Sequence, residues 1–184
     1  MNSHSCRTRI GKYGRAQAWT RRITLAVLVA ALVAAWAVQA LAFPRTLVDG
    51  AGRQVHLAAP PQRIFSATLA TDNIVLSIVD PARVVGVTIY AKDPTGSYVV
   101  DKVQPHMTVV EALSPELVIA ARPDVVLVAS WSSPDAVTQL QDLGIPVYVF
   151  SAFDTVADAM ENIRRVGEIA GEEEKAQELI DGFY

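Results

Sequence analysis

The sequence predicts an α/β fold: a parallel-sheet lobe flanked by helices and preceded by a β-hairpin. Three observations predict it. Strand and helix signals alternate strictly through Ser114–Phe150. The strand runs are β-branched and apolar on both faces, as strands covered from two sides are. Strand, helix and strand follow in so few residues that the connection is expected to be a right-handed parallel crossover.

The leader comes first. Six basic residues (Arg7, Arg9, Lys12, Arg15, Arg21 and Arg22) precede an uninterrupted apolar run from Leu25 to Val38, and the first acidic residue is Asp49. Ala40-Leu41-Ala42 then offers a small-x-small cleavage site. This is the pattern of a secretory signal peptide, residues 1–42, removed after Ala42. The apolar run is shorter than the roughly 20 residues a membrane span needs. An uncleaved anchor is the rival reading. Thr20–Leu25 loosely matches a twin-arginine signal, with Thr24 where a large apolar residue is usual, and ordinary Sec export fits equally. Cys6, the one cysteine of the chain, lies at the wrong end of the leader to carry a lipid.

Cleavage leaves 10 Lys/Arg against 19 Asp/Glu, a net charge of −9. Such an acidic surface argues against nucleic acid or anionic lipid as a partner. With no cysteine left, residues 43–184 are no disulfide scaffold. Their length suits one domain with a real core.

Within that segment, Arg45–Asp49 and Arg53–Leu57 flank Gly50-Ala51-Gly52 and predict a hairpin. Arg63–Ala67 is the first core strand. Thr71 or Asp72 is expected to cap a helix running to about Val79, where Asp80-Pro81 ends it. Val84–Ile89 is a second buried strand. Tyr90–Met107 shows no period and reads as a long loop, of the kind that is usually functional or mobile. Ser114-Pro115-Glu116 opens a short helix, with a capping hydroxyl, Pro at the first helical position and Glu against the positive helix end. Arg122-Pro123 closes it. Val125–Ala129 is a strand. Ser133-Pro134-Asp135 starts a helix with Val137, Leu140 and Leu143 at helical spacing, and Gly144 fits its stop. Val147–Phe150 is the next strand. Asp154–Ala170 is amphipathic, with Val156, Met160, Ile163, Val166 and Ala170 on one face. Gly171 interrupts it. Glu172–Tyr184 resumes helix on Ala176, Leu179, Ile180 and Phe183. About four parallel strands are expected.

Open parallel sheets bind ligands beyond the carboxyl ends of their strands. Those ends carry Ser66 and Thr68, then Tyr90, then Ser130 and Trp131, then Phe150, Ser151 and Phe153. Trp131 is the one Trp after the leader. Aromatics with hydroxyls between them make a platform for a flat or bulky organic ligand. Each has a plainer reading. Phe150 sits in an apolar run and reads as core, and Phe153 reads as a helix-start staple. Trp131 precedes Ser-Ser-Pro, which places it in a loop.

Catalytic patterns are poor. There is no Gly-rich phosphate loop and no Gly-x-Ser-x-Gly elbow, and after cleavage no catalytic cysteine is available. Only His56 and His106 remain, too few for a His-rich zinc site. Asp124, Asp135 and Glu172–Glu174 are explained by strand entries and helix starts.

The segments VDGAGRQVHLAAPPQRIFSATLATDNIVLSIVDPARVVGVTIY, SPELVIAARPDVVLVAS, LGIPVYVF and IRRVGEIAGEEEKAQELI resemble, in order and spacing, the N-terminal half of the periplasmic solute-binding proteins for iron-siderophores, haem and cobalamin. These serve ATP-binding-cassette (ABC) importers. The resemblance covers nearly all of residues 43–184. It implies two α/β lobes joined by a long helix, with ligand between them. Residues 43–171 would then be the N-terminal binding lobe and residues 172–184 the start of the interlobe helix, the second lobe being absent from this chain. It implies no catalysis, no cofactor of its own, and a ferric chelate, haem or corrinoid as ligand. Its implied partners are the small-molecule chelate and a membrane permease, in the periplasm, with the protein a monomer.

Residue by residue, Tyr90 matches the aromatic after the Val-Gly-Val strand that lines the family's cleft. Trp131 falls near a second cleft aromatic. Ser66 and Thr68 match the loop after the first strand, and Phe153 joins the ligand-binding set. Glu116, seven residues before Pro123, matches a surface glutamate that pairs with permease arginines. A first-turn Glu facing the helix dipole explains it as well. Two departures stand out. Ser77-Ile78-Val79 replaces a small turn. Val109 and Val110 stand where some members carry an aromatic, which weakens a cobalamin assignment. An exported α/β enzyme, for example a nucleotide-dependent one, and a membrane-anchored interaction domain are the rival functions.

Overall fold

A computed structural model describes Phe43–Gly182. The expected signal peptide, its cleavage site and Phe183 lie outside the described residues.

Alternation builds the first element. β1 (Arg45–Val48) and β2 (Gln54–Leu57) pair antiparallel, with Arg45 opposite Leu57 and Val48 opposite Gln54. The turn is closed by Asp49 rather than by its glycines alone. Its carboxylate accepts the amides of Ala51 at 2.9 Å and Arg53 at 2.8 Å, so Asp49 is withdrawn from the strand it was assigned to.

Five parallel strands follow: β3 (Ile64–Ser66), β4 (Val84–Thr88), β5 (Thr108–Val110), β6 (Val125–Ala129) and β7 (Val147–Phe150). Their order is β5-β4-β3-β6-β7. The expectation of about four strands missed β5, which has only three residues and therefore no readable period. The chain builds outward from β3 through β4 to β5, then crosses back to lay β6 and β7 on the other side. β3 is thus the point where the winding reverses.

Period 2 sends successive side chains to opposite faces, except in β4, whose register against β3 shifts between Val84 and Gly86 and so leaves Val84 and Val87 on one face. Ile64, Val84, Val87, Leu127, Tyr148 and Phe150 meet one layer of helices. Phe65, Val85, Val126, Val128, Val147 and Val149 meet the other. The first layer holds α1 (Leu69–Ile78), α4 (Val156–Ala170) and α5 (Glu173–Asp181). The second holds α2 (Pro115–Ala121) and α3 (Pro134–Asp142). Phe65 is fully buried and lies where Gly86 leaves room on β4; a Cβ there would stand 2.2 Å from the Phe65 ring.

The helix ends follow their caps, with corrections. α1 starts at Leu69 because Thr68, not Thr71 or Asp72, is the N-cap. α2 and α3 have the expected serine caps, Ser114 and Ser133, with Pro at N1. α2 ends on Arg122 in the left-handed region (φ 47°), although the following Pro123 predicts extended backbone there. The carbonyl of Arg122 accepts Arg63 Nε at 2.8 Å, one of two bonds from that guanidinium to the end of α2. α3 ends at Gly144 (φ 76°), with Ile145 N donating to Leu140 O at 3.1 Å in a Schellman turn. α4 begins with a capping box of Thr155 and Asp158. Its first turn runs past the packed face, so Val156 is exposed instead of joining Met160, Ile163 and Val166 in the core.

α5 folds back on α4 across Gly171 (φ 71°), burying Ala176 and Ile180. Gly167 lets it approach: a Cβ there would stand 2.6 Å from that of Ala176. Arg83 fastens the junction. Its guanidinium donates to Pro61 O at 2.7 Å, Ala170 O at 2.6 Å and Glu172 Oε1 at 2.7 Å. Arg45 adds a second fastening, to Glu168 O at 2.6 Å.

Candidate functional site

The reversal of winding at β3 sends α1 to one face and α3 to the other, and opens a crevice beyond the strand ends. A cavity of about 620 Å³ occupies it. That size lies within the range of small-molecule sites. Thr68, Leu69, Ala70 and Asn73 line it from the start of α1. Thr88 and Tyr90 come from the end of β4, Glu111–Leu113 from the end of β5, and Trp131–Ser133 from the end of β6.

Three of the residues singled out from sequence come together there: Thr68, Tyr90 and Trp131. Tyr90 stands in a 3₁₀ turn, Ile89–Lys92, and is 52% exposed. Trp131 stands in the turn between β6 and α3 and is 63% exposed. So much open aromatic surface in one concavity is available for stacking. Phe153 is not in the lining. It backs Trp131, with ring centroids 4.7 Å apart at 59°, and rests in turn on Phe150 at 6.4 Å. The indole is held from behind and free in front.

Ser66 is fully buried below the cleft, its hydroxyl 2.7 Å from that of Thr71. Thr68 caps α1 by accepting Thr71 N at 3.3 Å, and its hydroxyl lies 2.9 Å from Thr71 Oγ1. Glu116 is outside the lining, exposed in the first turn of α2. Its own amide and the Ser114 hydroxyl, 2.9 Å away, hold its carboxyl below the ordinary value.

Three participants were not singled out. Asp72 was read as a cap, but its carboxylate lies in the core. Burial pushes its pKa up to about 6, against hydrogen bonds from Ser66 and Thr88 that pull it down. Asn73 Oδ1 accepts Ser97 Oγ and Tyr98 N, both at 3.2 Å, and so ties the loop after Tyr90 to α1. Glu111 brings a carboxylate to the lining. No local signal marks the bonds of Asp72 to Thr88 or of Asn73 to Ser97 and Tyr98, whose partners lie 16 to 25 residues away.

His56 is on the hairpin, 3.2 Å from Thr46 Oγ1, and His106 is 3.1 Å from Val84 O. Among the described residues no group of three or more His, Cys, Asp and Glu side chains is placed to hold a metal ion. The cleft offers stacking surface, hydroxyls and one carboxylate.

Comparison with known proteins gives consistent likenesses. An uncharacterised ABC transporter substrate-binding lipoprotein of Bacillus subtilis is 31% identical over 141 residues, 75% of this chain and 43% of the relative. A cobalamin-binding protein of Halobacterium salinarum is 29% identical over 136 residues, 72% of this chain and 36% of the relative. The chain therefore spans less than half the length of these curated relatives. Among solved structures, a periplasmic solute-binding protein from Veillonella parvula matches with TM-score 0.60 at 24% identity, over 76% of this chain and 44% of that one. A periplasmic haem-binding protein from Pseudomonas aeruginosa matches with TM-score 0.57 at 22% identity, over 67% and 43%. These two likenesses establish the fold. Residues 64–183 match the family described as periplasmic binding protein, and the chain belongs to that family.

Proposed function

We propose that this chain is a ligand-binding lobe of the substrate-binding component of an ABC importer, working outside the cytoplasm. It takes a metal chelate or related macrocycle (an iron-siderophore, haem or a corrinoid) without chemical change and passes it to a membrane permease. The observation that carries this reading is the placement of Tyr90 and Trp131, both open, on a cavity of about 620 Å³ at the reversal of a parallel sheet. Stacking on such rings contributes about 0.5–1.5 kcal/mol each beyond the area buried. Thr68 adds a hydroxyl, Phe153 keeps the indole in place and Ser66 supports Thr71 from below. Glu116, exposed and held ionised, is the docking charge for permease arginines. The residues that bind are supplied by a rigid sheet, and the lobe works as a monomer.

The test is a titration of Trp131 fluorescence in the full chain carrying Trp19→Phe and Trp36→Phe, with a Trp131→Phe control and inner-filter correction. A ferric siderophore, haemin and cyanocobalamin are the probes. Saturable quenching by one of them, lost in Tyr90→Ala, is expected. A linear, control-like response to all three refutes the reading.

A further inference from the structure

Tyr90, the first aromatic of the cleft, does not hold itself in place. Its ring is 52% exposed. Its backbone lies in a 3₁₀ turn on a connection that leaves the sheet at Thr88 and rejoins it only at Thr108. A connection of that length is expected to move unless something fastens it.

Two consecutive side chains of α1 do so. Asp72 and Asn73 stand about 100° apart around the helix and therefore meet different neighbours. Asp72 is buried, and its Oδ2 accepts the Thr88 amide at 3.1 Å together with the Thr88 hydroxyl. That pins the chain just before Tyr90. Asn73 Oδ1 accepts Ser97 Oγ and Tyr98 N, both at 3.2 Å, which pins it again beyond Tyr90. A backbone N–H only donates, so the oxygen of Asn73 is the end that faces Tyr98. Between the two pins the hydrogen bonds continue. Tyr90 O accepts Asp93 N at 3.1 Å, and Asp93 O accepts Ser97 N at 2.9 Å. Asp93 Oδ1 accepts the amide and the hydroxyl of Thr95 at 2.8 and 2.7 Å. Ala91 and Val99 are packed into the core. The backbone is tied down while the Tyr90 ring stays open.

Packing alone does not call for this pair. Val75, Leu76 and Ile78 already hold α1 to the sheet. Asp72 adds a buried carboxylate that none of the ion pairs among the described residues reaches, and such a group lowers stability.

We propose that Asp72 and Asn73 are positioning residues for ligand binding: they clamp the two ends of the segment from Thr88 to Tyr98, so that Tyr90 meets the ligand on a fixed wall instead of a mobile loop. This role rests on the cleft being the ligand site. A wall ordered in advance loses no free energy to ordering when ligand arrives. Both residues act through Tyr90, so releasing the clamp costs at most what stacking on Tyr90 supplies, about tenfold in affinity.

Ser97→Ala gives the cleanest release, because Ser97 is buried and outside the cavity lining. It removes one bond to Asn73, and Asn73→Ala removes both. Hydrogen exchange reads the clamp without any ligand. In the parent the amides of Asp93, Ser97 and Tyr98 are expected to exchange about a hundredfold more slowly than free chain. In the two variants they should exchange about fivefold faster than in the parent, with β6 and β7 unchanged. With 3-fluorotyrosine incorporated, the fluorine resonance of Tyr90 should move and that of the buried Tyr148 should not. A merely structural role would move both. Binding is read by Trp131 quenching in the full chain with Trp19→Phe and Trp36→Phe, using a ferric trihydroxamate siderophore, haemin and cyanocobalamin. Ser97→Ala, Asn73→Ala and Asp72→Ala are each expected to weaken the probe that binds by about threefold. Asp72→Asn still offers one oxygen to both Thr88 donors and should restore the parent's affinity. Free-chain exchange in the parent, a released segment with affinity unchanged, or affinity lost with exchange and the Tyr90 resonance unmoved each overturns the proposal while leaving the cleft as the site. A flat response of the parent to all three probes overturns the cleft reading itself.

Discussion

Asp72→Asn also makes a stability prediction that needs no ligand. Burial raises the Asp72 carboxyl from 3.8 to about 6. Below pH 3.8 both folded and unfolded chains hold the proton, and the residue has no pH-dependent effect. Between 3.8 and 6 the unfolded chain ionises first while the native state keeps its proton, so stability falls as pH rises. Above 6 the loss is complete. The interval corresponds to about 3 kcal/mol. Asn has nothing to titrate. The difference in unfolding free energy between variant and parent should therefore move in the variant's favour by about 3 kcal/mol from pH 3.5 to pH 7.5. Urea unfolding followed by far-UV circular dichroism at the two pH values measures it, and every other titrating group cancels in the comparison. An equal difference at both pH values would refute the raised carboxyl of Asp72. A parent less stable than its variant at neutral pH would mean that Asp72 is retained for something other than stability.

Three further outcomes are expected. Gly86→Ala drives a methyl to within 2.2 Å of the ring of Phe65, which is fully buried, and should cost about 3 kcal/mol in urea unfolding. Phe153→Ala removes the support 4.7 Å behind Trp131; its emission should shift to longer wavelength and its anisotropy fall, with stability reduced by about 1–2 kcal/mol. Arg83→Ala orphans the carbonyls of Pro61 and Ala170 and leaves Glu172 only its partner Lys175, and should cost about 2–3 kcal/mol, with hydrogen exchange rising first in α5.

Most of the fold was legible because its strands are apolar on both faces and bounded by Pro, Gly and Ser. β6 is five buried residues in a row, and a run of that kind has few other homes. β5 was not legible, since Thr108–Val110 is held by pairing to β4 and not by a pattern of its own. Tyr90 and Trp131 were found by position: residues just past parallel strands face the crevice whatever the details. Ser66 was expected to face the ligand by the same rule and does not, because it is still inside β3 and its hydroxyl turns under α1. Phe153 was credited with ligand contact; it packs against Trp131, a neighbour brought 22 positions closer only by the β6–β7 pairing. Asp72 satisfied a local rule, an acid in a first helical turn, and so concealed a longer-range one.

The two arginine fastenings have a consequence in time. Arg45 waits for a carbonyl 123 residues further on, and Arg83 for one 87 residues on. A chain emerging in order can close its sheet from β3 to β7 before either partner exists. The hairpin and the β3–β4 connection are then locked only when the α4–α5 corner is delivered, and closing loops of that length is slow and entropically unfavourable. That corner acts as the clasp of the lobe: the last part to shut as the chain is made, and the first through which the lobe can come open.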